Sequence, residues 1–241
     1  MSEPLLSLDS VSASYGESHI LKGVTMVVNE GAVASLIGRN GVGKTTTLRN
    51  IVGVLTPNQG TITFDGEDVT TLPDYARSQR GISYVPEDRQ VFPELTVEEN
   101  LRMGQIGSDE NMFSVEEVYD LFPRLDERRS NSGLQLSGGE QQMLSIARTL
   151  LGHTKILLLD EPTEGLAPQI VTDVLKAIEE IQDRGVTVLL VEQNIKAAME
   201  IASHHHVLHG GEIVFEGDTE ELSEAKDVRD SYLGVSMATS E

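Results

Sequence analysis

The segment Gly38-Arg39-Asn40-Gly41-Val42-Gly43-Lys44-Thr45 fits the pattern G-x-x-x-x-G-K-[ST] at every defined position. It lies between the apolar run Ala32–Ile37, which predicts a buried strand, and Thr45–Leu55, which predicts a helix. Glycines in such a loop let backbone N–H groups surround phosphate oxygens, and the start of the helix adds partial positive charge. The segment therefore predicts an α/β core that binds the phosphates of a nucleotide.

Three side chains of this loop suit particular parts of a nucleotide. Lys44 is long enough to reach the β- and γ-phosphates. The hydroxyl of Thr45 is a hard oxygen ligand of the kind that Mg²⁺ prefers. Thr46, the next residue, completes the set that we expect to contact the nucleotide.

Two carboxylates follow the next apolar run. Leu157–Leu159 predicts a buried strand, and Asp160 and Glu161 stand where that strand emerges. We expect Asp160 to hold Mg²⁺ and Glu161 to orient or deprotonate an attacking water molecule. An acidic pair at a strand end is common on its own, so its significance depends on the phosphate loop.

The pentapeptide Leu136-Ser137-Gly138-Gly139-Glu140 lies between these two motifs. A serine followed three residues later by a glutamate is a capping box, which predicts the start of a helix. The helix that follows carries apolar residues with helical spacing, and its first N–H groups are free to bind an anion. Taken alone, the pentapeptide is best interpreted as a capped helix start, and only its position between the other two motifs gives it a further meaning.

The rest of the chain predicts an α/β protein with a helical insertion. Leu5–Val28 alternates as antiparallel strands do, and capping boxes at Thr96 and Ser114 favour helices over about residues 90–150. Further elements are predicted as follows: strands at Thr61–Phe64, Ile82–Val85, Ile156–Leu159 and Val186–Val191, a helix opened by Pro168, and a hairpin of His206–Leu208 with Ile213–Phe215.

Acidic residues outnumber basic ones along the whole chain. There are 39 Asp and Glu against 18 Lys and Arg, which gives a net charge of −21 and argues against nucleic acid as a partner. Adaptation to a salt-rich cytoplasm and simple solubility are both open explanations of the acidity. The chain has no cysteine, no apolar run long enough to cross a bilayer and no secretion signal at Met1–Pro4, so we expect a cytoplasmic protein.

The phosphate loop, the pentapeptide and Leu159-Asp160-Glu161-Pro162 together resemble the ATP-binding-cassette (ABC) transporter ATPases over about residues 5–220. The resemblance implies an α/β fold class: a P-loop NTPase core with a mixed sheet, an N-terminal antiparallel β subdomain and an inserted α-helical subdomain. It also implies one domain over residues 5–235. Its core would cover 5–90 and 151–220, its helical subdomain 91–150, and a C-terminal helical tail 219–235.

The same resemblance implies ATP and Mg²⁺ as cofactors and a second cassette as partner, either an identical copy or a sister chain. In this family the pentapeptide of one cassette contacts the nucleotide held by the other, which assigns Ser137, Gly138, Gly139 and Glu140 to a partner's nucleotide. Tyr15 matches the aromatic residue that stacks on adenine. The membrane pore must then be formed by separate permease subunits, docked near Glu87–Phe92 on the cytoplasmic face of the membrane, with a solute-binding protein involved indirectly.

Two positions depart from the common pattern of the family. Glu87 stands where a glutamine usually senses Mg²⁺, and Gln193 stands where a histidine usually contacts the γ-phosphate. A glutamine can donate a hydrogen bond but cannot carry a proton near neutral pH, which leaves Glu161 as the main base candidate. The variants resemble a cassette of branched-chain amino-acid importers, with urea and short-chain amide importers as the alternative. A non-transport ABC ATPase, for example in cofactor assembly, stays open.

A run of histidines, His204-His205-His206 with His209, raises the question of a metal site. His204 and His206 would share one face of a strand, as two ligands of one ion must. No acid or cysteine near them in the sequence completes a ligand set. We therefore expect the solvated start of a strand and no metal.

Overall fold

The computed structural model describes residues 4–106 and 112–234. The absence of a secretion signal was predicted from residues 1–4, of which residues 1–3 lie outside the described residues. Residue 235, the predicted end of the domain, lies outside them as well. The strands are β1 (Pro4–Tyr15), β2 (Ser18–Asn29), β3 (Val33–Ile37), β4 (Gln59–Phe64), β5 (Glu67–Asp68), β6 (Ile82–Val85), β7 (Ile156–Asp160), β8 (Thr187–Glu192), β9 (His204–His209) and β10 (Glu212–Asp218).

The helices over the same residues are α1 (Lys44–Ile51), α2 (Asp74–Ser78), α3 (Val97–Gly104), α4 (Val115–Leu121), α5 (Pro123–Glu127), α6 (Gly138–Leu150), α7 (Pro168–Asp183), α8 (Ile195–Ile201), α9 (Thr219–Glu224) and α10 (Lys226–Val228). A 3₁₀ turn covers Gly133–Gln135 and a π turn covers Arg229–Leu233. The predicted capping boxes at Thr96, Ser114 and Ser137 are confirmed.

The strands form a mixed sheet of order β10-β9-β3-β8-β7-β6 and an antiparallel sheet of order β2-β1-β4-β5. In the mixed sheet only β10 runs antiparallel to its neighbour among the strands described. Helices α3 to α6 are inserted between β6 and β7. These observations confirm the predicted α/β fold class, whereas the boundaries of the subdomains stay a prediction.

The central strands β3, β7 and β8 are apolar at most positions because both of their faces are covered. Leu157 and Leu159 of β7 belong to the core that packs on the helical insertion, whereas Leu158 belongs to the core between the two sheets. Residues alternate between faces along a strand, so a strand covered on both sides needs apolar residues at every position. Each fully buried leucine contributes about 1.5–3 kcal/mol, and the ends of these strands are correspondingly well fixed.

Helix α1 is shorter than predicted, because Ile51 ends it where the sequence indicated Leu55. Gly53 adopts a left-handed conformation with φ 84°, which favours helix termination. The buried guanidinium of Arg77 then satisfies the carbonyl oxygens at the end of the helix. It donates to Asn50 O at 2.6 Å and to Ile51 O at 2.8 Å.

The same guanidinium also donates to Leu72 O at 2.9 Å and Thr70 O at 2.8 Å. Arg77 is only 1% exposed, and burial lowers its pKa without neutralising it. One side chain thus joins α1, the helix that follows the phosphate loop, to the segment that precedes α2.

No helix within residues 4–106 or 112–234 is long and apolar enough to cross a membrane.

Replacing Arg77 by methionine should leave the carbonyl oxygens of Ile51, Thr70 and Leu72 without their donor, whereas Asn50 O also accepts from Gly53 N at 3.3 Å. We expect the Arg77→Met variant to lose about 3 kcal/mol of unfolding free energy, measured by urea denaturation, because unsatisfied buried groups lose their full desolvation cost. The control is Arg80→Met, which removes an exposed ion pair of 3.0 Å to Glu67 and should cost about 1 kcal/mol or less. Equal losses in the two variants would contradict the assigned role of Arg77.

Candidate nucleotide-binding site

Four neighbouring parallel strands end at the same edge of the mixed sheet, in the order β3-β8-β7-β6. The phosphate loop follows β3, and Asp160-Glu161 ends β7. Glu192-Gln193 ends β8, and Glu87 follows β6. In open α/β sheets ligands bind at the carboxyl ends of the strands. The topology therefore brings motifs that are far apart in sequence to one edge.

Lys44 is buried at the start of α1 with its ammonium group fully engaged. Its Nζ donates to Gly38 O at 2.8 Å and to Arg39 O at 3.2 Å, and lies 3.0 Å from Glu161 Oε1. A buried ammonium needs such partners because an isolated charge is costly away from water. An anionic ligand in the cleft can therefore take the position of Glu161 beside this cation.

Gly43 allows α1 to start close to the neighbouring sheet. Its φ is 116°, and a Cβ placed on it would lie 2.7 Å from Leu21 Cδ2. A larger residue would be strained by the backbone conformation and blocked by that contact. The glycine is thus needed for the geometry of the loop, independently of any ligand.

Asp160 is held between two hydroxyl groups. Its Oδ1 accepts from Thr45 Oγ1 at 3.3 Å, and its Oδ2 accepts from Tyr84 Oη at 3.1 Å. Burial raises the pKa of Asp160, and the two hydrogen bonds act in the opposite direction. Thr45 and Asp160 together offer a hard oxygen pair, which suits a divalent cation such as Mg²⁺.

Glu161 has a left-handed backbone with φ 47°, a conformation that costs a non-glycine residue about 1–3 kcal/mol. Its N–H donates to Val191 O at 2.9 Å, which fixes the turn after β7. Burial acts to raise the pKa of Glu161, but hydrogen bonds with Glu164 and Lys44 outweigh burial and lower it. The hydrogen bond with Glu161 raises the pKa of Glu164 to about 7. The pair therefore keeps Glu161 ionised and places its shared proton on Glu164.

A cleft of about 410 Å³ opens above the phosphate loop. It brings together most of the residues predicted to bind nucleotide and metal, together with Ile20 and Glu164. The lining residues are Ile20, Asn40, Gly41, Gly43, Lys44, Thr45, Thr46, Glu87, Glu161 and Glu164. A cavity of this size with a buried lysine and convergent carboxylates has the features of a binding site for a charged small molecule.

Other predicted residues lie outside this lining. Tyr15 is exposed at the end of β1, and its hydroxyl accepts from Arg49 Nη1 of α1 at 3.1 Å. Gln193 is exposed after β8 and is not among the described residues that line the cleft. Ser137 is exposed at the start of α6 and does not line the cleft either. No residue of the pentapeptide thus belongs to the described lining of the nucleotide cleft of its own chain.

Three residues at this edge were not predicted from the sequence. Tyr84 orients Asp160, and Glu164 shares a hydrogen bond with Glu161. Glu192 is buried and accepts from Thr163 N at 3.2 Å and Thr163 Oγ1 at 2.8 Å, which ties the end of β8 to the turn after β7. A single tyrosine or glutamate near a motif has no sequence pattern that marks it as part of the site. Only the pairing of the strands brings such a residue to this edge of the sheet.

The prediction for the histidine run was wrong. His205 and His206 are fully buried, and Glu216 is an acid in reach of both His204 and His206. The antiparallel pairing of β9 with β10 places Glu216 directly opposite His206. Glu216 is distant from the histidines in sequence, and only the hairpin of β9 with β10 brings it next to them.

A family model described as "ABC transporter" matches residues 21–164, which is more than half of the chain. The chain belongs to the ABC transporter family. It is 44% identical over 232 residues to the high-affinity branched-chain amino acid transport ATP-binding protein BraG of Pseudomonas aeruginosa, covering 95% of this chain and 100% of that one. The resemblance stated from the motifs is thereby confirmed, including the likeness to cassettes of branched-chain amino-acid importers.

Solved ABC cassettes have the same fold as this chain. One is an ATP-binding cassette of an ABC transporter in its ADP conformation, with a TM-score of 0.84 at 27% identity, covering 95% of this chain and 98% of that one. Another is a dimeric bacterial ABC transporter cassette, with a TM-score of 0.79 at 26% identity, covering 89% and 98%. This ABC protein is thus an ATPase with the predicted cassette fold.

The hydroxyl of Tyr84 should matter for ATP hydrolysis because it orients Asp160. We expect Tyr84→Phe to lower ATP turnover about 10-fold, since a hydrogen bond to a charged group contributes about 1.5–3 kcal/mol. The control is Tyr119→Phe: the Tyr119 hydroxyl is buried without a hydrogen-bond partner among the described residues, so its removal should leave turnover unchanged. Full turnover in Tyr84→Phe would show that Asp160 does not need this donor.

Proposed function

We propose that this chain is the ATP-hydrolysing subunit of an importer of branched-chain or related amino acids. The observation that carries the proposal is the convergence of Lys44, Thr45 and Glu161 in one cleft of a chain that is 44% identical to BraG. Asp160 lies directly behind this cleft, where its Oδ1 accepts from Thr45 Oγ1. The protein would sit at the cytoplasmic face of the membrane and act on separate permease subunits, with a solute-binding protein involved only indirectly.

In this proposal the phosphate loop holds the phosphates of ATP. Gly38, Arg39, Asn40, Gly41, Val42 and Gly43 present their backbone around the phosphates, together with Lys44 and Thr46. Tyr15 stacks on the adenine, which fits its exposed ring beside α1. Gln193 contacts the γ-phosphate as a hydrogen-bond donor. Because it is exposed, it is free to move toward a bound nucleotide.

The oxygen groups of Thr45, Asp160 and Glu87 fit a Mg²⁺ ion. Thr45 and Asp160 are hydrogen-bonded to each other, and Glu87 lines the same cleft. When bound, Mg²⁺ would neutralise developing negative charge on the phosphates. Glu87 carries a negative charge where the family has a neutral glutamine, which increases the electrostatic attraction for a cation.

Glu161 serves as the base in this proposal. A phosphate group that binds Lys44 replaces Glu161 as its partner, and the freed carboxylate can then orient the attacking water. The lowered pKa keeps Glu161 ionised at neutral pH, so its carboxylate is available to the water, and leaving Lys44 removes one of the interactions that lower its basicity. Glu164, with its pKa of about 7, is partly protonated at neutral pH and so repels Glu161 less.

Each active site is completed by a second cassette. Ser137 is exposed at the start of α6, followed by the half-buried Gly138 and the buried Gly139, and none of the three lines the described cleft of its own chain. The first N–H groups of a helix have no partner within the helix, so this helix start suits an anion. Glu140 is turned back to cap this helix, since its Oε2 accepts from Ser137 N at 2.8 Å. The solved dimeric cassette supports pairing between two such chains.

Comparing two similar capping boxes can distinguish a contact of Ser137 with a partner's nucleotide from simple helix capping. Glu140 N donates to Ser137 Oγ at 3.3 Å, and Glu117 N donates to Ser114 Oγ at 3.2 Å. Ser137→Ala and Ser114→Ala should each lose about 1 kcal/mol of stability. Only Ser137→Ala should also lower ATP turnover, by at least about 10-fold, because a charge-assisted contact is lost. Similar ATP turnover in both variants would show that Ser137 only caps its helix and does not contact a partner's nucleotide.

The permease subunits have a suitable docking surface next to the helical insertion. A cleft of about 850 Å³ is lined by the exposed apolar side chains Val54, Tyr75, Phe92, Met103 and Ile106. Contiguous exposed apolar side chains mark interaction sites. Phe92 ends the segment in which docking was predicted, and a short amphipathic helix from a membrane protein matches the size and character of this cleft.

Solute uptake distinguishes the proposed function from its rivals. Deleting the gene in the source organism should abolish uptake of radiolabelled leucine, isoleucine and valine, and the wild-type gene should restore it. Glu161→Gln should not restore uptake, because it binds ATP, accumulates as a closed dimer and loses turnover at least about 100-fold. The control Glu180→Gln, exposed on α7, should restore it.

Two other outcomes would contradict the proposal. Loss of urea or short-chain amide uptake with normal leucine uptake would assign the alternative solute class. Unchanged uptake of every solute, without co-purifying permease subunits, would favour a non-transport ABC ATPase.

A further inference from the structure

Three potential metal ligands meet on the β9–β10 hairpin, at the edge of the mixed sheet. His204 and His206 are two positions apart on β9, so they share one face. Glu216 of β10 pairs directly with His206 and projects to the same face. None of the three belongs to the described lining of the nucleotide cleft. Neither ATP binding nor cassette pairing accounts for this cluster.

The distances within the cluster fit one small ion. His204 Nε2 lies 3.1 Å and His206 Nε2 lies 3.4 Å from Glu216 Oε1, and the ligand atoms of the three residues all lie within 4.8 Å of one another. Tetrahedral Zn²⁺ with bonds of about 2.0–2.2 Å holds its ligand atoms about 3.4 Å apart. Both glutamate–histidine distances are close to that value. The two imidazole rings meet edge to face, with their centroids 5.0 Å apart.

His206 provides a second and independent observation. Its side chain is fully buried, yet neither ring nitrogen makes a well-aligned hydrogen bond within the described residues, and Nε2 only approaches Glu216 Oε1, at 3.4 Å. A buried polar group without a good partner costs about 1–3 kcal/mol. A bound cation would give Nε2 a short bond in place of that long contact.

We propose that His204, His206 and Glu216 bind a divalent transition-metal ion, for which Zn²⁺ is the best fit. Two imidazoles and one carboxylate are a common Zn²⁺ ligand set, whereas Mg²⁺ and Ca²⁺ prefer oxygen ligands alone. Water would fill the fourth position. Asp218 does not fill it, because its Oδ1 already accepts from Glu221 N at 2.8 Å as the cap of α9.

The site is accessible and would link two strands. The side chains of His204 and Glu216 are 36% and 47% exposed, so an ion can reach the buried His206 from solvent. Bound Zn²⁺ would join β9, which pairs with β3, to β10, which is the last strand of the sheet. Because the ion binds only the folded hairpin, it would stabilise the native state in proportion to its concentration.

The test is calorimetric titration of the full chain with Zn²⁺, after removal of metals and without a histidine tag. The wild type should bind one Zn²⁺ per chain and melt at a higher temperature with Zn²⁺ than without it. His204→Ala and Glu216→Gln should each weaken binding at least about 100-fold, because losing a direct ligand exceeds the 10–100-fold effect of an outer partner. Both positions are partly exposed, so both variants should fold.

His19→Ala is the matched control, since His19 is an exposed histidine on β2 whose ring is hydrogen-bonded to Ser14 and does not belong to the ligand set. It should bind Zn²⁺ as the wild type does. Carboxylates of the nucleotide cleft could also hold Zn²⁺, and such binding would persist in Glu216→Gln. Unchanged affinity in His204→Ala and Glu216→Gln, or no binding by the wild type, would overturn the proposal.

Discussion

The burial of the Lys44 ammonium is the constraint on which the site depends. Away from water this charge needs acceptors on every side, and the fold supplies them from two places: the carbonyl oxygens of Gly38 and Arg39 and the carboxylate of Glu161. The loop after β3 and the turn after β7 must therefore lie in register. The fully buried strands between them keep that register, and exchanging Glu161 for a phosphate would preserve the charge balance while freeing the carboxylate.

A second constraint joins the site to the surface where we propose that a permease docks. Tyr84 of β6 lines the large cleft beside the helical insertion, and its hydroxyl donates to Asp160 on β7. A partner that moves β6 would therefore move a donor that orients a proposed Mg²⁺ ligand. This contact offers a short physical route between the membrane subunits and the nucleotide. It needs no long chain of intermediates, because adjacent strands carry both residues.

The sequence predicted the parts of the structure that are coded locally. The phosphate loop, the capping boxes at Thr96, Ser114 and Ser137, and the buried strand before Asp160 all have short patterns with a direct physical cause. Contacts across the fold have no such pattern. Arg77, which ends α1 from a distant segment, and Glu216, which reaches His206 across a hairpin, were missed because strand pairing and chain reversal bring them together.

The departure at Gln193 is best understood together with its neighbours. Gln193 is exposed and cannot carry a proton, whereas Glu192 beside it is buried and anchors the turn that follows Glu161 through Thr163. The hydrogen bond with Glu161 raises the pKa of Glu164 to about 7, so this carboxyl is partly protonated near neutral pH. One group of the cleft thus titrates near neutral pH without a histidine, and in the proposed function position 193 needs only a hydrogen-bond donor.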